Sequence, residues 1–75
     1  MLADGTYDVI VVDADQVGEP DADAIRLDLT VLAGAHKGEV VSMRAQGLGV
    51  DPVDALGLPG TLTVQGGDPS IALDR

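Results

Sequence analysis

Three features of this 75-residue chain predict an all-β fold. Short apolar segments alternate with polar residues at a period of two, Gly, Pro and Asp clusters punctuate them, and only one helical signal interrupts them. Ten valines and nine leucines stand against a single aromatic residue, Tyr7, so the core is built from aliphatic side chains. An apolar content of 45% separates the chain from disordered sequences of similar charge. Its length allows one domain, residues 1–75, that buries only about 60% of its unfolded surface.

The first strand is read from "TYDVIVVD", residues 6–13, whose apolar centre suits a strand buried on both faces or one shared between two halves of a barrel. "DADQVGEPDAD" follows at 13–23, with Gly18 and Pro20 as breakers. "IRLDLTVL", residues 25–32, alternates: Ile25, Leu27, Leu29 and Val31 point one way, Arg26, Asp28 and Thr30 the other. "GAHKG" (34–38) is a turn between glycines, and "EVVSMRA" (39–45) resumes with Val41, Met43 and Ala45 as the inner set. Matching the apolar sets in a hairpin puts Val31 opposite Val41, Leu29 opposite Met43 and Leu27 opposite Ala45, and hence Asp28 opposite Arg44.

"VDPVDALGLPG" holds the one helical signal, at about 51–57. Asp51 fits an N-cap, Pro52 the first helical position and Asp54 the first turn, while Gly57 can take the left-handed stop before Pro59. "TLTV" (61–64) and "SIALD" (70–74) are the last strands, joined by "QGGDP". Three strands, a short helix and two strands make the order of the OB-fold, a five-stranded Greek-key barrel. An SH3-like barrel is the alternative, although its single helical turn usually precedes the last strand. "DGTYDVIVVDAD", "LDLTVLAGAHKGEVV" and "DPVDALGLPGTLTV" resemble small uncharacterised actinobacterial OB-like β-barrel proteins of similar length. The resemblance covers most of the chain and implies the fold; it carries no catalytic or binding residue.

Thirteen acids, eleven of them Asp, oppose four bases, for a net charge of −9. Such a charge favours solubility and repels nucleic-acid phosphates and anionic lipid. The Asp-rich, Lys-poor bias matches a GC-rich genome such as an actinobacterial one, and a halophile would give a similar one. Without Cys there is no disulfide, thiolate metal site or cysteine nucleophile, and a cytoplasmic location is expected. "MLADGTYD" lacks the basic and apolar regions of a signal peptide, and the longest apolar run, "VIVV", is far too short for a membrane span.

The acidic stretch comes nearest to a calcium loop. Counted from Asp13, Asp15 and Gly18 occupy EF-hand ligand and turn positions, but Val17 and Ala24 stand where position 5 and the bidentate position 12 need oxygens. A looser Ca²⁺ or Mg²⁺ site from Asp13, Asp15, Asp21 and Asp23 is the weaker reading, and a solvated loop the simpler one. His36, the lone histidine, lies beside Lys37 in an exposed turn without the nucleophile and orienting carboxylate that catalysis needs. No enzymatic activity and no cofactor are expected.

Two functions from different classes remain. The first is a binding or adaptor module that recognises a protein or peptide partner, or a second copy of itself, through Arg26, Asp28, Thr30, Ser42 and Arg44 or through the acidic loop. The second is a single-stranded nucleic-acid binder using Arg26, Lys37 and Arg44, with His36 at the hairpin tip. OB-folds grip single strands with basic grooves and aromatic platforms. Here the first binding loop is acidic and only Tyr7 could stack, so the protein partner is favoured.

Overall fold

The computed structural model describes residues 2–18 and 24–74. Five strands, β1 (Gly5–Gln16), β2 (Ala24–Val31), β3 (Val40–Gln46), β4 (Pro59–Gln65) and β5 (Asp68–Leu73), and one helix, α1 (Pro52–Ala55), follow one another with α1 between β3 and β4. All pairings are antiparallel, and the sheet runs β3-β2-β1-β4-β5 and curls into a half-barrel. Five antiparallel strands with one short helix between the third and fourth are the order expected from the sequence. The connection before β5, where an SH3-like barrel carries its helical turn, is the two-residue turn Gly66-Gly67. Their φ angles of +61° and +83° are those of a type I′ turn, which matches strand twist and admits glycine without strain.

β1 is the long central strand, and its phase changes midway. Val9 and Val11 are buried facing Val31 and Leu29, but Asp13 then pairs with Asp28 and leaves Val12 without a partner. That extra residue is a β-bulge. Uninterrupted alternation would have turned Asp13 and Asp15 into the core with Val11; the bulge turns them outward and presents Ala14 to the core instead. The expected two-sided burial of β1 is therefore corrected, with Val12 52% exposed.

The β2–β3 hairpin keeps the predicted inner faces but slides by two residues. Leu29 pairs with Val41, Leu27 with Met43 and Ile25 with Ala45. Val31 instead hydrogen-bonds to Glu39, through its N–H to the Glu39 carbonyl at 2.9 Å. Either register preserves the apolar face, so the alternation alone cannot choose. The connection decides, because β3 begins hydrogen bonding as soon as Gly38, at φ +91°, has turned the chain.

α1 is a single turn, shorter than the expected 51–57. Asp51 has extended backbone at the N-cap, but its side chain makes no capping bond; only its carbonyl accepts from the Ala55 N–H at 2.9 Å. Gly57 takes the left-handed stop and donates its N–H to the Val11 carbonyl, which ties the helix end to β1. Ala55 is fully buried beneath the sheet's inner face.

The core gathers Val9, Val11, Leu27, Leu29, Val31 and Leu62, with no polar side chain buried among the described residues. Its large fully buried side chains come from β1, β2 and β4. β3 adds only Met43 to the buried set, and β5 only the half-buried Ile71 and Leu73. These two edge strands run in the same direction and face one another, yet no ladder joins them. The half-barrel has an open seam.

Candidate functional site

The bulge in β1 places Asp13 and Asp15 on the outer face, across from Asp28 and Arg26 of β2. Arg26 binds all three carboxylates. Nη2 lies 2.5 Å from Asp15 Oδ2 and 3.6 Å from Asp13 Oδ2, and Nη1 lies 2.7 Å from Asp28 Oδ1. The Ser42 hydroxyl, on β3 opposite Asp28, donates to the same Asp28 oxygen at 2.6 Å. Hydrogen bonds donated to Asp15 and then to Asp28 hold the Arg26 guanidinium in its charged form above its ordinary range. The Asp28 carboxyl is lowered from its usual 3.8, first by the Ser42 bond and then by Arg26. In water such pairs add little to stability, but they fix which groups remain free.

The expected Asp28–Arg44 pair does not form. The two-residue slip sets Arg44 opposite Arg26 instead, and Arg44 makes no ion pair among the described residues. Thr30 shares the outer face, between Ile10 and Val40. The predicted site is thus brought together in part: Arg26, Asp28 and Ser42 form one network, with Arg44 on the neighbouring strand outside it.

His36 and Lys37 belong to a separate region, the connection from β2 to β3. His36 Nδ1 contacts the Glu39 carboxylate, and its ring meets Tyr7 edge-to-face with centroids 5.9 Å apart and planes at 77°. The Tyr7 hydroxyl donates to the Ala3 carbonyl, so the only aromatic ring is held at one end of the barrel rather than displayed on β2 and β3. Of the candidate cation ligands, Asp21 and Asp23 lie outside the described residues. Asp13 and Asp15 already face a cation, Arg26. Among the described residues no three acidic or histidine side chains are arranged to hold a metal ion.

What residue patterns did not reveal is the seam. Between β3 and β5 lies a cleft of about 300 Å³ lined by Leu2, Val40, Val41, Ser42, Val64 and Pro69. A shallower hollow continues it between Met43–Gln46 and Pro69–Ile71. Two signals in the chain point there: a proline inside the last strand, and Val40 at an outward position, 61% exposed. No helix among the described residues is long and apolar enough to cross a membrane. The chain matches no protein-family model, no curated protein and no solved structure.

Proposed function

We propose that the protein is a non-catalytic binding module of the cytoplasm that recognises a protein or peptide partner. The observation that carries this reading is the use made of Arg26. Three carboxylates surround its guanidinium, so the face that would have to attract phosphates keeps Arg44 alone within a chain of net charge −9. Beside that face an apolar cleft opens along the seam, and apolar surface with a polar rim is what protein partners cover. A non-catalytic role is supported by the engagement of the lone histidine and of the serine on β3. His36 is taken up by Glu39 and Tyr7, and the Ser42 hydroxyl donates to Asp28 rather than to a histidine.

Arg44 favours a second reading, a single-stranded nucleic-acid binder, because it stands outside the acidic network on the strand that OB-folds use. Fluorescence anisotropy with labelled DNA and RNA oligonucleotides at low salt separates the two. The protein-partner reading expects no binding. Affinity that falls steeply with salt and disappears in Arg44→Glu would refute it.

A further inference from the structure

We propose that the seam takes up an extended segment of another protein that pairs along the free edge of β3, places apolar side chains in the cleft and carries Lys or Arg outward. The proposal rests on the protein-partner reading above and specifies its site and its chemistry.

The ladder identifies which backbone groups are free. The Val31–Glu39 hydrogen bond fixes the phase of β3, so by antiparallel alternation Val41, Met43 and Ala45 turn their N–H and C=O groups to β2. Val40, Ser42, Arg44 and Gln46 turn theirs to the seam. On β5 the phase is set by the tight turn pairing Gln65 with Asp68 and by the Asp74 N–H bonded to the Pro59 carbonyl at 2.8 Å. Asp68, Ser70 and Ala72 therefore face β4, and Pro69, Ile71 and Leu73 face the seam. Proline at a seam-facing position removes a donor there and blunts the edge. β3 carries no such device. Its edge begins with exposed Val40 and keeps every donor.

Geometry and charge select the occupant. β3 and β5 are parallel to each other, so a segment antiparallel to both continues the pattern of the whole sheet. At their closest the two strands come within 8 Å, whereas an intervening strand needs about 9.6 Å, twice the ladder spacing. β5, the least buried strand, is the one that yields. Every second side chain of the segment would enter the cleft beside Val41 and Val64 and must be apolar. The others point outward, where Asp68 marks the end of the seam at which both strands begin; Glu39, just before β3, is held by His36. A second copy of this chain or a nucleic acid would bring more negative charge to a surface of −9, and a basic segment is attracted to it.

The test uses the full chain, ¹⁵N-labelled, and a blocked heptapeptide with valine at every second position, threonine between, and lysine at its last two outward positions. The expected result is an alternating footprint. The amides of Val40, Ser42, Arg44 and Gln46 shift on titration, those of Val41, Met43 and Ala45 shift far less, and glutamate in place of the lysines weakens binding several-fold. N-methylation of the alternate peptide nitrogens that face β3 abolishes it. Absence of binding, or retention when the alternate set of nitrogens facing β3 is methylated, overturns the proposal; methylation of the other set is tolerated. So does sedimentation showing that the free protein already dimerises through β3. Peptide shifts confined to the Arg26 face would overturn strand pairing while leaving a protein-binding module intact; salt-sensitive oligonucleotide binding without peptide binding would overturn both.

Discussion

Alanine at Gly60 should loosen the outer hairpin of the half-barrel. Gly60 is buried in β4, between Val9 of β1 and Leu73 of β5. A Cβ built there would lie 2.7 Å from the Ala72 carbonyl oxygen, 3.1 Å from Leu73 Cδ2 and 3.3 Å from Leu73 Cα. The nearest atom is backbone, so relief requires β5 itself to move. Gly60 does not occupy the left-handed region, and without this close approach alanine would instead stabilise by about 0.4–1 kcal/mol through the unfolded chain. Overpacking works against that at about 1–3 kcal/mol, and the net is a loss on the order of 1–2 kcal/mol. Total stability for a domain of this length is roughly 4–11 kcal/mol. The loss should lower Tm by roughly 4–16 °C, at 4–8 °C per kcal/mol for a small domain. Without Trp, unfolding is followed by far-ultraviolet circular dichroism in urea, and hydrogen exchange of the β4–β5 amides reports the local loosening. Stability equal to or above that of the wild type would refute the close approach of β4 and β5.

The bulge predicts opposite outcomes for neighbouring valines: Val12→Lys should change stability by no more than about 0.5 kcal/mol, whereas Val11→Lys should prevent folding, both read by urea denaturation. Gly67→Ala should cost about 1–2 kcal/mol for its left-handed backbone, and Gly66→Asn much less, since Asn tolerates that region. Because the Asp28 carboxyl is lowered in the folded state, its contribution is present above its ordinary 3.8 and fades as pH falls through and below that value. Thermal denaturation between pH 6 and 3 should therefore show a steeper loss for the wild type than for Asp28→Asn. Arg26→Gln should lower Tm by stranding Asp13, Asp15 and Asp28 together, and adding Asp15→Asn should restore part of the loss; additivity of the two changes would count against the network.

The strands were legible because burial on one side writes a period of two into the chain. β2 shows this best, with Ile25, Leu27, Leu29 and Val31 inward and Arg26, Asp28 and Thr30 outward as expected. The helix position was legible from Pro52 and Gly57, but not its single-turn length. Hairpin register was not. A slip of two residues keeps every apolar side chain on its face, so alternation carries no information about it, and the site depended on that choice. It exchanged an Asp28–Arg44 pair for an Asp28–Ser42 bond and left Arg44 opposite another arginine. "VIVVDAD" invited a reading of two-sided burial because four apolar residues in a row hide a phase change; the outward aspartates after them are its trace. The seam was illegible because it is made by strands far apart in the chain, β3 and β5, which meet only once the sheet has curled.

The acidic stretch and the basic face therefore cannot be weighed as separate surfaces. The first part of that stretch, Asp13 to Gln16, is not loop at all: it is the end of β1, carried outward by the bulge and paired with β2. Carboxylates set across from one another, Asp13 against Asp28, are unfavourable unless a cation is shared between them, and Arg26 is the residue the sheet places there. The same bulge that keeps aspartates out of the core thus removes Arg26 from the charges a phosphate could reach. Attraction by this face then rests on Arg44, while repulsion is spread over the whole molecule. The basic, extended polypeptide proposed above would gain from the acidic field and from the apolar seam together and would meet no such opposition.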